Sequence, residues 1–396
     1  MAPSERGARY APDVRADRRA AVVAGLVTAA VGFTSSFAVV LAGLDAVGAT
    51  PAQAASGLLI LCVTQGLGTL LLALRYRVPV TLAWSTPGAA LLATTGAVEG
   101  GWPAAVGAFL IVGILVIATA AIRQLADLVR AIPTSIAQAM LAGVLVPLCL
   151  APVTATADRP LLLAPVVLTW LLLAAVAPRW ASPAALVVAL VLAVVAGDER
   201  SGALWPQLTW TTPTFSLGAV IGLAVPLYLV TMAAQNVPGA AVLSSFGYRP
   251  PWRSAMVVTG VGTVAGAPAG GHAINLAAIS AALSASPEAG PDPSRRWIAA
   301  VTTGASYLVI APMAALLTAI VVAAPSGLVA AAAGLALLTT LAGSLRSALS
   351  ADERVEPAIA TFLVAASGIS VFGVGAAFWA LVTGVVVHLA LRPRGH

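Results

Sequence analysis

The sequence predicts an all-α polytopic membrane protein, on three observations. The 396-residue chain is 60% hydrophobic and only 9% charged, against about 25% charged residues in a soluble domain. Stretches such as 161–176 and 184–196 are apolar on every side rather than along one face, as membrane helices are. The basic residues also recur in alternate connections, as they do in proteins that cross a bilayer repeatedly.

Turn residues and charges divide the chain into 14 spans. The first seven lie near 20–41, 52–73, 79–96, 103–122, 133–151, 160–177 and 183–197. The second seven lie near 215–236, 254–265, 268–284, 297–323, 327–344, 356–370 and 373–391. Several are shorter than the ~20 residues a straight helix needs to cross a bilayer, so the arginines supply an independent check. All 20 basic residues are Arg. With a cytoplasmic N-terminus, the inside segments hold Arg6, Arg9, Arg15, Arg18, Arg19, Arg75, Arg77, Arg123, Arg130, Arg179, Arg249, Arg253, Arg295, Arg296, Arg346, Arg354, Arg392 and Arg394. Only Arg159 and Arg200 fall outside. This positive-inside bias predicts an even number of spans with tails 1–19 and 392–396 in the cytoplasm.

The net charge of +6 thus reflects topology and an all-Arg usage, and implies no nucleic-acid partner. Cys62 and Cys149 both lie in apolar segments and suggest neither a disulfide framework nor a metal site. No cofactor motif is present. The first 19 residues are polar and run directly into a full-length span, unlike a cleavable signal peptide.

Seven is odd, so two halves of seven spans have opposite orientation, the inverted repeat of many secondary transporters. The predicted halves are 20–197 and 215–391, joined by an outside linker at 198–214 whose Trp205 and Trp210 read as interfacial anchors. The third and tenth spans match in plan. In the third, a β-prone run meets Thr86-Pro87-Gly88 and then a short helix-forming run. In the tenth, 261–267 meets Pro268 to Gly271, and helix formers follow His272 and Asn275. Broken backbone at membrane depth survives only where protein buries it or it lines a cavity, and transporters bind substrates at such breaks. The expectation is two part-extended half-helices whose N-termini, near Gly88 and Gly271, face each other and attract an anion.

The first and eighth spans flank these elements. Ser35, within the run 32–37, is a candidate for lining the cavity, as are Tyr228, Gln235 and Asn236 in the eighth span. Ser85, Thr86, Gly88, Gly270, Gly271, His272 and Asn275 complete the candidate substrate site. Hydroxyls in membrane helices also serve as helix-to-helix glue. A Gln-Asn pair in a span is costlier and points more strongly to a polar cavity.

The runs Ala83-Trp84-Ser85-Thr86-Pro87-Gly88-Ala89-Ala90, 231–239 and 267–279 closely resemble the benzoate/proton symporters, and the resemblance covers nearly the whole chain after about Ala20. It implies a core domain and a gate domain, with a fold like that of nucleobase/proton symporters and sulfate-type anion transporters. It also implies uptake of benzoate or a similar aromatic carboxylate with protons, and a homodimer in the cytoplasmic membrane. Nucleobase relatives use membrane carboxylates near the site, but the eighth and tenth spans here contain no Asp or Glu. That leaves His272 as the leading proton carrier, because imidazole titrates near neutral pH; the alternative is that it stays neutral and only donates a hydrogen bond. The rival readings are an uncoupled anion channel or facilitator and a nucleobase/proton symporter. An intramembrane enzyme is disfavoured, since the spans carry no HExxH, paired aspartates or GxSxG.

Overall fold

The computed structural model describes residues 14–122, 124, 127, 131–197, 205, 207–278, 280–350, 354–371 and 374–391. Arg6, Arg9, Arg123, Arg130, Arg200, Arg392, Arg394 and His396, and with them most of both predicted tails and the start of the linker, lie outside the described residues.

The elements in order are α1 (Val14–Thr34), α2 (Phe37–Ala46), α3 (Pro51–Tyr76), β1 (Leu82–Trp84), α4 (Thr86–Thr95), α5 (Gly101–Ala121), α6 (Thr134–Asp158), α7 (Pro160–Val176) and α8 (Pro178–Ala196). Then come α9 (Leu217–Ser245), α10 (Trp252–Gly266), β2 (Ile274–Leu276), α11 (Ala281–Ala285), α12 (Trp297–Ile310), α13 (Ala314–Ala323), α14 (Leu328–Leu349), α15 (Glu356–Ala366), β3 (Ser370–Val371), β4 (Val374–Gly375) and α16 (Ala376–Ala390). Among the described residues, eight helices are long and apolar enough to cross a membrane. With the shorter helices and the two strand–helix elements, all 14 predicted spans have a counterpart.

Connections predicted on one side of the membrane meet on one side of the molecule. The Arg77 guanidinium lies 4.0 Å from the centroid of the Trp297 ring. Tyr76 and Ser254 share a 2.7 Å hydrogen bond, and the Tyr248 hydroxyl donates to the Pro293 carbonyl at 2.9 Å. On the opposite side, the Ser216 hydroxyl donates to the Glu99 carbonyl and Trp102 Nε1 donates to Thr211.

Several of the main helix pairs are ones that a shift of seven segments exchanges, although α6 on α15 has only a weak counterpart. α3 packs on α12 and α10 on α5; α7 packs on α8 and α15 on α16; α6 packs on α14. Two of these pairs close on glycine. A Cβ at Gly66 on α3 would come 2.9 Å from the Gly304 carbonyl oxygen on α12, and one at Gly113 on α5 equally close to that of Gly260 on α10. Small residues let membrane helices approach where burial of apolar surface offers no drive.

The α-helix is interrupted inside several spans, among them the first, third and tenth. In the first, Ser35 and Ser36 separate α1 from α2, and both hydroxyls bond back to the Gly32 carbonyl. Such back-bonding competes with the helix ladder and bends it. In the third and tenth, β1 pairs antiparallel with β2, with Ala83 opposite Asn275. The Ser85 N–H to Ala273 carbonyl (2.8 Å) and Ala277 N–H to Thr81 carbonyl (3.0 Å) bonds extend this ladder at both ends.

The structure corrects the predicted layout of the tenth span. Residues 261–266 are the end of helix α10 rather than an extended run. Gly270 and Gly271 precede the strand, so the extended stretch lies after the glycines, and the helix begins only at Ala281. Gly270 adopts φ +90°, a left-handed conformation that closes the short turn Ala267–Ala269.

Candidate functional site

The β1–β2 crossing places the start of α4 deep in the molecule. Ser85 caps this helix: its Oγ accepts from the Gly88 N–H at 3.1 Å. Thr231 on α9 donates to the same oxygen at 2.9 Å. Thr86 is the first helical residue, so its N–H has no intrahelical partner, and Pro87 has no N–H to satisfy.

A cavity of about 210 Å³ opens in front of this helix start. α1 and the α1–α2 break contribute Gly32, Ser35 and Ser36; β1 and α4 contribute Trp84, Thr86 and Pro87. α9 contributes Gln235, the segment before α11 contributes Ala277, Ala278 and Ser280, and α12 contributes Tyr307. The opposite wall comes from α8 (Arg179, Ser182) and α14 (Ala336, Leu337, Thr339, Thr340). Among the described residues, Arg179 is the one charged side chain on the lining, and it lies 3.5 Å from Glu288.

Trp84 and Tyr307 on the lining belong to a chain of ring contacts that continues behind the cavity. Phe33 and Phe37 lie parallel at 5.1 Å, Phe33 meets Trp84 edge-on at 5.5 Å, and Trp84 lies 6.3 Å from Tyr307. Trp84 is held by its indole N–H, which donates to Ser36 Oγ at 2.9 Å. Edge-to-face and offset ring pairs at such spacings hold their orientation well.

Of the candidates read from sequence, Ser35, Thr86 and Gln235 line this cavity. Ser85 and Gly88 stand behind it as the cap and first turn of α4. The others lie outside the lining. Tyr228 bonds the Thr119 hydroxyl at 2.6 Å. Asn236 accepts from the Leu276 N–H at 2.9 Å and donates to Met232 Sδ. Asn275, with its amide turned to satisfy both groups, accepts from the Ser85 N–H and donates to the Leu276 carbonyl. The N–H groups of Gly270 and Gly271 are taken by the Ala267 and Gly266 carbonyls, at 2.8 and 3.0 Å. They are therefore not bare donors at a helix start.

His272 is fully buried beside Phe109, 6.4 Å between ring centres. Its Nδ1 lies 3.0 Å from the Ala273 carbonyl, while Nε2 has no partner among the described residues. Trp84, Ser280, Tyr307, Thr339, Thr340 and Arg179 were not singled out from sequence. Tyr307 and Trp84 carried a usable signal, an aromatic with a polar tip inside a span. The α14 hydroxyls carried none, because a Thr pair in a membrane helix bonds its own backbone equally well.

A polar–aromatic cavity at a helix start, inside a bundle of membrane-length helices, fits a membrane transport protein. The chain belongs to the benzoate membrane transport protein (BenE) family, whose model matches residues 16–390. It is 39% identical over 374 residues to the inner membrane protein YdcO of Escherichia coli (strain K12), covering 94% of this chain and 95% of that one. It is 29% identical over 332 residues to the benzoate membrane transport protein of Acinetobacter baylyi, covering 82% and 83%. Its fold is that of the transmembrane domain of the cyanobacterial bicarbonate transporter BicA, with TM-score 0.61 at 16% identity over 94% of this chain and 97% of that one. SLC26A9 shares the fold, with TM-score 0.64 at 12% identity over 94% of this chain and 64% of that one.

Proposed function

We propose that this protein takes up benzoate or a similar aromatic carboxylate together with protons, by alternating access. The observation that carries the reading is the make-up of the cavity in front of α4. A carboxylate needs donors and positive potential, and the α4 start, Gln235 and the hydroxyls of Ser35 and Ser280 offer both. A phenyl ring needs apolar or aromatic surface, and Trp84 and Tyr307 offer it on the same cavity. Arg179 at the mouth draws anions in without placing a cation at the midplane.

The two halves, 20–197 and 215–391, act as an inverted repeat, which the seven-segment exchange of packing pairs supports. Spans one to four and eight to eleven form a core that holds the substrate, and the remaining spans form a gate. The arginine-rich side carrying Arg75, Arg77, Arg179, Arg249, Arg253, Arg295 and Arg296 faces the cytoplasm. Both termini lie there, and the protein works as a homodimer in the cytoplasmic membrane, as a transporter and not an enzyme.

His272 is the proton carrier in this reading. Its Nε2 is a buried lone pair or donor without a partner among the described residues, and it sits two residues before the strand that positions the site. Proteoliposomes with an inward-directed proton gradient test the proposal. Labelled benzoate accumulates above equilibrium, and a protonophore abolishes the accumulation. Mere equilibration makes the protein an uncoupled facilitator, and accumulation of a nucleobase instead makes it a nucleobase symporter. In His272→Ala, accumulation is lost while benzoate still shifts the melting temperature, because the ring lies outside the cavity. Full accumulation in that variant removes His272 from the role.

A further inference from the structure

A second cavity, of about 460 Å³, lies toward the opposite side of the molecule. α2 (Ala38, Leu41, Ala42), Asp45, and the α13–α14 connection (Pro325, Gly327) line it on one side, and Pro147 and Leu148 of α6 on another. Among the described residues, the two cavities share one lining residue, Leu337 on α14, which is 2% exposed. Along α14 the change is sharp: Ala336, Thr339 and Thr340 line the first cavity, whereas Val329, Ala330 and Ala333 line the second. The same change occurs on the facing helix, which α14 packs against. There Ser35 and Ser36 line the first cavity and Ala38 and Val39 the second, with buried Phe37 between them.

We infer that Leu337, closing against the Phe37 turn, is the septum that separates the substrate cavity from the vestibule on the Asp45 side. Among the described residues, Leu337 is the side chain that both cavities touch. The protein therefore seals this side with one hydrophobic contact between the two helix groups, while the Arg179 side stands open. Hydrophobic constrictions of this kind exclude water and ions without a charged lock. Phe37 is suited to the fixed half of the contact, since its ring is stacked on Phe33. Leu337 belongs to α14, in the helix group that the transport reading assigns to the gate. The inference rests on that reading for its place in a transport cycle, but the septum itself can be tested without substrate.

Truncating the septum joins the two cavities. In proteoliposomes, Leu337→Gly and Leu337→Ala should carry a non-saturating anion leak that the wild type lacks. A cysteine at Thr340→Cys, inside the first cavity, reports access to an impermeant maleimide from either side of oriented vesicles. With Leu337→Ala, labelling from the Asp45 side rises severalfold while labelling from the Arg179 side is unchanged. A mere shift of the conformational balance would trade one for the other, and that trade overturns the inference. So does the absence of leak in a variant that still elutes as folded protein. Leu337→Val, a milder truncation, gives an intermediate leak if the glycine variant fails to fold. A leak with no benzoate transport by the wild type would retain the septum and refute the substrate.

Discussion

The two strand–helix elements answer one architectural demand in different ways. In β1–α4 the strand runs straight into a capped ten-residue helix, with Ser85 at the cap and Pro87 in the first turn. In β2–α11 a glycine turn precedes the strand, and the helix that follows has five residues. The first element presents its helix start to the cavity. The second presents Ala277, Ala278 and Ser280 there and turns its polar residues, His272 and Asn275, away. Two strand–helix elements of similar plan thus need not share chemistry. One opens its helix start onto the cavity, and the other supplies the ladder that holds the first in place while adding Ser280 to the lining.

Glycine substitutions test that division most severely. A Cβ at Gly88 would come 2.5 Å from Leu227 Cδ1 and 2.7 Å from Ser85 Oγ, the atom that caps the helix. Gly88→Leu should abolish the benzoate-induced thermal shift and all transport. A Cβ at Gly271 would come 2.8 Å from Ile60 Cγ2, behind the strand and away from the cavity. Gly271→Leu should lower stability by about 1–3 kcal/mol through overpacking, yet keep ligand binding in the protein that inserts. Equal loss of binding in both variants would erase the distinction between the elements.

Asn236→Ala probes the ladder. It strips the Leu276 N–H of its acceptor in a fully buried place, which costs about 1–3 kcal/mol. The expected result is a lower melting temperature with benzoate affinity nearly retained, because Asn236 touches the strand and not the cavity. A large affinity loss at unchanged stability would return Asn236 to the substrate site.

What the sequence makes legible follows from the range of the forces involved. Span positions depend on local hydropathy and on arginines in connections, so the 14-span layout is readable from the chain. Pro87 and Pro268 with their glycines show where a helix cannot run, but not on which side of the break the strand lies. In the third span Ser85 settles that locally, as a cap. In the tenth, the strand exists because residues 82–84 lie opposite it, and no local signal encodes a partner almost two hundred positions away. Polar residues in spans pose the same difficulty. Gln235 and Asn236 are neighbours in sequence, yet one lines the cavity and the other ties down a strand end. The two lie in a π-helical turn, Met232–Asn236, and adjacent residues of any helix face different surroundings.

The smallest expected effect lies at the cavity mouth, where the two walls meet through charge. Arg179 and Glu288 are 3.5 Å apart with more than half of each side chain exposed, and an exposed pair of this kind contributes roughly 0–1 kcal/mol. Arg179→Gln should therefore leave the melting temperature almost unchanged. Its effect on the anion is separate, since the substitution removes the one charge that the described residues place on the cavity lining. Benzoate affinity should weaken, and its salt dependence should flatten, because screening acts on the interaction that the substitution deletes. Glu288→Gln leaves Arg179 without its competitor and should tighten binding at low salt. The two substitutions thus move affinity in opposite directions at nearly constant stability. If both instead lower stability by several kcal/mol with affinity untouched, the pair is a structural strap between the walls and takes no part in capturing the anion.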